Sequence, residues 1–304
     1  MAKRGIREEA MAAAATHKAA IARVVDRQAV RPLARDHQRA LGVVHRALGE
    51  RSRKKMGVAA TTADLGTISR VAQAHLRAAY SLVGDRLVDA ARIATAEGAS
   101  SLARFYTSMT GRASALDDPA RVRVLAARRL PKVIAMRDAA AAQLANNAQA
   151  AIRAVLTGLR PGEVKVGEAI GAAVEAADRQ WWKVERVART EGALAFNAAQ
   201  EDGIALLAQA HPGLMKRWTE LVSDLTGAPL DDRVGDDSIA LHGQVARPGG
   251  LFVMPDTDKA PARMVGMSWS SPPNRPNDRA TLLPWHPDWG IPGWVIRGGK
   301  RHFL

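Results

Sequence analysis

The spacing of apolar residues predicts long helices through the first two thirds of the chain. In residues 62–110 an apolar position recurs close to every 3.5 residues, and alanine occupies many of these positions. This period is typical of a helix that buries one face against another helix. A helix of about 45 residues would be roughly 65–70 Å long. Such a length favours an extended bundle over a compact enzyme core.

Two other stretches, 8–50 and 163–208, keep much of the same helical spacing. Pro32 should kink or interrupt the first of them, because proline lacks the backbone N–H of a helical residue. Nearly all of the chain up to residue 208 is therefore predicted to be helical. We expect 1–208 to form an elongated helical region.

A further helix start lies between these stretches. Asp118 can cap a helix whose first residue is Pro119, since proline is favoured at the first helical position. This helix should run to Leu130. Pro131 should then start or kink another helix, which ends at Gly158.

The pattern changes after residue 212, where proline, glycine and tryptophan become frequent. Residues 215–222 can form a strand, 245–254 read as a hairpin with Pro248 and two glycines inside it, and 280–285 read as a short strand. Little helix is expected here. The predicted fold class is therefore mainly α, a long-helix bundle followed by a small α+β module at 209–304 with a Pro/Trp-rich C-terminal arm.

Positive charge is concentrated in the first half of the chain. Residues 1–137 contain 26 Lys and Arg against 11 Asp and Glu, whereas the whole chain has a net charge of +14. A basic segment joined to a near-neutral one favours a polyanionic partner, with nucleic acid as the first candidate. The alternative is a solvated helical surface that is merely basic.

The candidate DNA-contacting residues are the basic clusters of this half. Contact would be made to phosphates, without sequence preference, and would weaken as salt is added. The residues are Arg51, Arg53, Lys54, Lys55, Arg121, Arg123, Arg128, Arg129 and Lys132.

Composition excludes several classes of chemistry. The chain has no cysteine, which excludes disulfide scaffolds, thiolate zinc sites and cysteine nucleophiles. No Walker A motif or Gly-x-Ser-x-Gly elbow occurs. No apolar run approaches the roughly 20 residues that span a bilayer, so no membrane segment is expected. We predict neither a cofactor nor a bound metal.

Three short stretches resemble one known family in their order and spacing. The first is 188–197, which contains Arg189, Thr190, Glu191 and Asn197. The second is Lys216-Arg217-Trp218, and the third is 241–245 with His242 and Gly243, followed by Phe252 and Pro255. Together they resemble the phage head morphogenesis family, the Mu F-like minor head proteins. The resemblance covers about residues 150–285.

The resemblance implies a minor virion component that is made with the head. Members associate with the portal or the inner capsid and support genome packaging or delivery, and no settled catalytic activity comes with the family. The expected location is therefore the virion, at the capsid interior or portal vertex, and the host cytoplasm during assembly. The paired cysteines that many members carry are absent here, and the first 140 residues match nothing in the family.

Partners of three kinds are expected. The resemblance implies the portal or major capsid protein, the basic first half favours genomic DNA, and the long helices leave a homo-oligomer open. The aromatic residues Trp285, Trp289 and Trp294 are spaced by Pro and Gly and are hard to bury in so short a tail. We expect them to form an exposed arm that docks on a neighbouring protein.

The residues of the resembling stretches have a mostly structural interpretation. Arg189 and Glu191 are two apart and do not face each other on a helix, so we expect each to hold the helix against the C-terminal module. Direct partner or phosphate binding is the alternative. Trp218 and Phe252 should form the core of the module. Asn197, His242 and Gly243 belong to the same structural set.

Two alternatives to a non-enzymatic head protein stay open. Asp231, Asp232 and His242 could bind a divalent metal for hydrolase or nuclease chemistry, since such sites need clustered oxygen and imidazole ligands. Asp, Gly and Pro are also ordinary turn formers, and this run is rich in all three. A scaffold or adaptor that binds only protein is the other alternative.

Overall fold

The computed structural model describes residues 25–304 except 221, 223–227, 230–233, 277 and 279. Before residue 25 it describes only 8, 12, 16, 19, 22 and 23. The chain is mainly helical with a small α+β module near the C-terminus, which confirms the predicted fold class. The helices are α1 (Arg31–Ser52), α2 (Thr62–Thr110), α3 (Pro119–Gly158), α4 (Val166–Asp178), α5 (Trp181–Ala210) and α6 (Asp236–Leu241). The strands are β1 (Met215–Thr219), β2 (Val245–Ala246), β3 (Phe252–Val253), β4 (Ser268–Trp269), β5 (Thr281–Trp285), β6 (Trp294–Arg297) and β7 (Lys300–Phe303).

The chain forms two compact units. The helical unit consists of Asp26–Ala90 and Pro131–Ala188, and the C-terminal unit contains Ala91–Leu130 and Arg189–Leu304. The change from helix to strand falls between Ala210 and Met215. The division into 1–208 and 209–304 stays a prediction about domains.

The helical unit contains α1, which packs against α4. The buried face of α1 consists of Leu33, Leu41, Val44 and Leu48, whose spacing of three to eight residues places them on one side. The segment after α1 then pairs with the segment before α4. Ala60 N–H donates to the Val164 carbonyl at 2.8 Å, and the turn between α1 and α2 is therefore held to the start of α4.

The effects of the prolines differ from the prediction at one of two positions. Pro32 lies in the first turn of α1, directly after a π-helical segment at Val25–Val30, so the helix changes type at the predicted position while the backbone stays helical, and a kink there stays a prediction. Pro131 lies inside α3, which continues to Gly158, so a helix start at this residue is wrong, and the alternative of a kink stays a prediction. A proline ring removes one backbone hydrogen bond, and a helix of 40 residues keeps its other bonds.

The predicted long helix at 62–110 is confirmed as α2. The single helix predicted at 163–208 is wrong, because it is two helices, α4 and α5, separated at Arg179 and Gln180. Arg179 N–H still bonds to Glu175 as in a helix, but Gln180 N–H bonds to Ala177. This tighter turn ends α4 without any Gly or Pro to signal it.

The C-terminal unit is built on a three-stranded antiparallel sheet with the order β2-β1-β5. Strand β1 lies in the middle, and Arg217 is opposite Leu283 of β5 and Val245 of β2. Two smaller antiparallel pairs, β3-β4 and β6-β7, complete the module. The strand predicted at 280–285 is confirmed as β5.

The hairpin predicted at 245–254 is wrong, because β2 and β3 do not pair with each other. The side chain of Gln244 explains the difference. Its Nε2 donates to the Val253 carbonyl at 2.9 Å, and its Oε1 accepts the Val253 N–H at 2.7 Å. The amide thus occupies the backbone groups of β3 that a hairpin partner would use, and β3 pairs with β4 instead.

Trp218 and Phe252 form the centre of the core in this unit, as predicted. Both are fully buried, and their rings meet edge to face with centroids 5.3 Å apart. Leu102, Ile204 and Leu282 belong to the same buried cluster, so helices α2 and α5 close the sheet on one side.

Candidate functional site

Helix α5 supplies a buried amide that holds strand β5. Asn197 is fully buried, its Nδ2 donates to the Ala280 carbonyl, and its Oδ1 accepts the Leu282 N–H, each at 3.0 Å. One turn later, Gln200 Oε1 accepts the Thr281 hydroxyl at 3.2 Å. Asn197 thus satisfies backbone groups at the edge of β5 in the way a neighbouring strand would, and Gln200 adds a bond to a side chain of the same strand.

Strand β1 buries two consecutive cations on opposite faces of the sheet. Lys216 is fully buried, and its Nζ lies 2.5 Å from Glu201 Oε1 and 2.5 Å from the Ser270 carbonyl. The same ammonium lies 5.1 Å from the centre of the Phe252 ring. A buried charge needs such a partner because it has left water, and the pair therefore fixes β1 to α5.

Arg217 faces the other side of β1. Its Nε donates to the Pro292 carbonyl at 2.9 Å, and its Nη1 donates to Thr219 Oγ1 at 3.1 Å. Its Nη2 lies 3.5 Å from His242 Nε2. The guanidinium thus joins β1 to the segment before β6. Its N–H donors are used in contacts within the fold.

His242 is engaged by the backbone rather than presented as a ligand. Its Nδ1 accepts the Glu220 N–H at 3.1 Å, which occupies the lone pair that a metal would need. Asp231 and Asp232 lie outside the described residues. Within the part of the chain that the structure describes, no group of three His, Cys, Asp or Glu side chains has the arrangement of a metal site.

A second cluster of buried polar side chains lies around the start of α6. Asp278 is buried, and its two oxygens accept from the Ser238 hydroxyl and from the N–H groups of Asn274 and Ala280. Burial, together with the nearby charge of Glu220, raises the pKa of Asp278 to about 6. The carboxyl can therefore hold a proton in mildly acidic solution.

Asp237 lies beside this carboxyl and has a cationic partner. Its Oδ2 accepts from Arg275 Nε at 2.7 Å and from Asn274 Nδ2 at 3.0 Å. The pair ties α6 to the loop before β5. Asp236, its neighbour in the sequence, is exposed at the first residue of α6.

Gly243 occupies a position that requires glycine. Its φ is +83°, a left-handed value that other residues rarely adopt, and an added Cβ would lie 3.1 Å from Trp294 Nε1. Trp294 Nε1 donates to the His242 carbonyl at 2.8 Å, and Trp294 N–H bonds to Gly243. The close packing of this indole on the turn accounts for the glycine.

The prediction of an exposed tryptophan arm is wrong. Trp285, Trp289 and Trp294 are 1%, 6% and 4% exposed. Trp285 Nε1 donates to the Ile291 carbonyl at 2.8 Å, and Trp289 meets Phe105 edge to face. The Pro and Gly residues between them let the chain fold back on itself, so the indoles complete the core instead of leaving it.

Arg189 and Glu191 lie half-buried in α5, and neither is free of contacts. Their intermediate burial fits the structural interpretation better than a freely exposed binding pair. Their specific roles stay predictions.

The basic cluster after α1 is on the surface. Arg51, Arg53, Lys54 and Lys55 are all exposed. Lys55 Nζ lies 3.1 Å from Asp64, whose pKa is lowered to about 2 by hydrogen bonds from Thr61 and then by Lys55. The other three cations have no carboxylate partner among the described residues.

The second predicted cluster belongs to the C-terminal unit, with its last member, Lys132, in the helical unit. Arg121, Arg123 and Arg128 are exposed along the start of α3. Arg121 lies 3.7 Å from Asp118, and Arg123 donates to the Pro119 carbonyl. The side chains of Arg129 and Lys132 lie outside the described part.

The arginines within α1 were not among the residues predicted from the sequence. Arg35, Arg39 and Arg46 are exposed on this helix. Their spacing of four and seven residues is visible in the sequence, and it could have been recognised as one helical face.

Among the described residues, no helix has the length and apolar character needed to cross a bilayer. Comparison of the chain with protein-family models, with curated proteins and with solved structures found no match.

Proposed function

We propose that the protein is a non-enzymatic minor head protein of a phage. It is a structural component of the virion, associated with the portal or the inner capsid, and it supports head assembly and genome packaging or delivery. Its basic N-terminal half contacts the DNA backbone without sequence preference. The proposal starts from the sequence resemblance to the Mu F-like proteins.

One observation supports the structural role above the others. The three stretches that carry the resemblance are separated in sequence, and each contributes to holding the same small sheet: Asn197 at β5, Lys216 and Trp218 in β1, and Gly243 beneath Trp294. Their polar atoms are used between elements of the fold. Residues used in this way stabilise a module rather than bind a substrate.

Support for DNA contact comes from the surface. Arg51, Arg53 and Lys54 are exposed and have no acidic partner in the described part of the chain. Unneutralised cations close together in sequence attract phosphates and release the counterions that surround DNA.

The location is tested with purified phage particles. Mass spectrometry and gel-based copy counting should find the protein in mature virions at a low copy number. A pull-down with the purified portal and with the major capsid protein should identify its structural partner. A mature virion that lacks the protein would contradict the proposal.

The DNA contact is tested with the full chain and duplex DNA of mixed sequence. Affinity should fall steeply between roughly 50 and 200 mM salt. Reversing Arg51, Arg53, Lys54 and Lys55 together to Glu should weaken binding strongly, whereas each single reversal should have a much smaller effect. No binding at low salt would leave a scaffold that contacts only protein.

A further inference from the structure

The outer face of α1 carries a row of arginines that points away from the core. Helix positions advance by about 100° per residue, so Arg31, Arg35, Arg39, Arg46 and Arg53 fall within about 80° of one another. Arg53 follows the last helical residue with helical backbone angles, φ −50° and ψ −40°, and so continues the row.

The opposite side of α1 is the buried one. Leu33, Leu41, Val44 and Leu48 are each at most 4% exposed, and they lie roughly 180° from the centre of the row. The burial of this apolar side in the helical unit fixes the rotation of α1. The arginines therefore face solvent because of the packing, and we call this row of five the arginine face.

Much of the charge on the arginine face is not neutralised. Arg31 lies 3.3 Å from Asp26, and Arg39 lies 3.5 Å from Asp36, yet their side chains remain 71% and 77% exposed. Asp36 is also shared with Arg86, at 3.1 Å.

The other members have no such partner. Arg35, Arg46 and Arg53 are exposed, and they have no carboxylate partner among the residues that the structure describes. Neighbouring cations in such a row repel one another, and a bound anion offsets this repulsion.

Small residues lie between the arginines. Gly42 and Gly49 fall on the same side of α1, and an added Cβ at either would meet no atom within 4 Å. The space beside the helix backbone is therefore open. A polyanion can approach the helix closely at each glycine, while the long arginine side chains before and after that glycine reach it.

We propose that the arginine face binds the sugar–phosphate backbone of duplex DNA. This inference rests on the proposed function and extends it, because it assigns the contact to a helix face that includes Arg35, Arg39 and Arg46. Guanidinium groups suit this task, since their planar fork bonds two phosphate oxygens at once.

The length of the arginine face fits an extended polyanion. The 22 residue-to-residue steps from Arg31 to Arg53 extend for about 33 Å along a helix axis. Duplex DNA carries one charge per roughly 1.7 Å, so about 19 phosphates occupy an equal length of duplex. The phosphates therefore outnumber the five cations, and their spacing does not depend on base sequence.

Other classes of partner fit this face less well. Protein interfaces have cores that are depleted of charge and anchored by aromatic side chains. Within α1, the exposed large apolar residue beside the arginine face is Val43, which is 43% exposed and is not aromatic. A helix that lies on a membrane needs an exposed apolar side, whereas the apolar side of α1 is buried.

The test compares two full-length variants of equal charge. The first is Arg35→Gln/Arg39→Gln/Arg46→Gln, which neutralises three members of the face. The second is the control Arg70→Gln/Arg153→Gln/Arg160→Gln, which removes three exposed arginines elsewhere in the same unit. Fluorescence anisotropy with a mixed-sequence duplex gives the affinity at several salt concentrations, and circular dichroism checks that each variant is folded.

Loss of three phosphate contacts should reduce the slope of log K against log salt by about 2.7. If the variant and the wild type bind equally at 1 M salt, this change in slope corresponds to an affinity loss of about 500-fold at 0.1 M salt. The DNA affinity of the control variant should stay within about threefold of that of the wild type. If the triple variant folds poorly, Arg46→Gln alone should reduce the slope by about 0.9.

Equal affinities of the two variants would overturn the assignment to α1 while leaving the proposed function in place. A wild-type chain that does not bind DNA at low salt would overturn both the assignment and the DNA part of the proposed function. Binding to anionic vesicles with no binding to duplex DNA would also overturn the assignment.

Discussion

Single buried polar side chains decide how the C-terminal unit is joined. Asn197 replaces a strand partner for β5, Lys216 ties β1 to α5, and Gln244 prevents β2 and β3 from pairing. Each of these groups is costly to bury and is tolerated only because its hydrogen bonds are made inside the fold.

Replacing Asn197 by Ala should destabilise the protein substantially. The change leaves the Leu282 N–H and the Ala280 carbonyl buried without partners. Each orphaned group costs about 1–3 kcal/mol, so we expect a loss of about 2–6 kcal/mol in the free energy of unfolding, measured by urea denaturation.

The control is Asn146→Ala, at an exposed position in α3. Its effect should stay within about 0.5 kcal/mol. Equal losses for the two variants would show that Asn197 does not brace β5.

Asp278 should make stability depend on pH in an unusual direction. Its folded pKa of about 6 is raised above the ordinary 3.8, so the folded state holds the proton more tightly. The contribution of protonated Asp278 to the free energy of unfolding is complete below about pH 3.8 and is lost as the pH rises through about 6. Asp278→Asn removes the titration, and the stability of the wild type relative to the variant should decrease between pH 4 and pH 7.

Denaturation midpoints at several pH values measure this difference. Asp256→Asn, which removes an exposed carboxylate, serves as the control and should follow the wild-type curve. A constant offset between the wild type and Asp278→Asn across the range would contradict the prediction.

At the scale of elements, close helix packing in the C-terminal unit depends on glycine. A Cβ at Gly98 of α2 would lie 2.6 Å from the Phe196 carbonyl oxygen of α5, which is too close for any side chain. The backbones approach at this point, and neither helix can move without disturbing the fully buried Asn197 next to Phe196.

Gly98→Ala and Gly66→Ala should therefore have opposite effects, although both glycines lie in α2. The first forces the helices apart and should cost about 1–3 kcal/mol. The second faces open space and should gain up to about 1 kcal/mol from helix propensity. Thermal denaturation of the two variants gives the signs, and a stabilising Gly98→Ala would exclude the close contact.

At the scale of the whole molecule, each unit contains a histidine that should make its stability depend on acid. Burial lowers the pKa of His37 in the helical unit and of His211 in the C-terminal unit. His37 is 1% exposed, with Tyr80 Oη 3.2 Å from its Nδ1, Asp178 Oδ1 3.4 Å from its Nε2 and the Trp181 ring beside it. The attraction of Asp178 only partly offsets the burial.

The stability that neutral His37 contributes is present above its ordinary pKa of 6.5 and is lost as the pH falls below it. His37→Gln should therefore be less stable than the wild type at pH 7.5, with a difference that narrows toward pH 5. Urea denaturation across this range measures it. The exposed His45→Gln is the control, and a difference that widens in acid would contradict the sign.

The sequence alone determined the features that depend on local periodicity and composition. These are the mainly helical class, the long helix at 62–110, the strands near 215 and 281, and the buried pair Trp218–Phe252. Apolar spacing reports them because each helix or strand must bury one face wherever its partner lies.

The tertiary structure decided the features that depend on distant partners. It buried the three C-terminal tryptophans, of which Trp285 donates to the Ile291 carbonyl, and it made separate strands of the expected hairpin because Gln244 bonds the backbone of Val253. It also turned the arginines of α1 outward, since the rotation of a helix follows from what its apolar side packs against. Such contacts join residues far apart in the chain, and no local pattern encodes them.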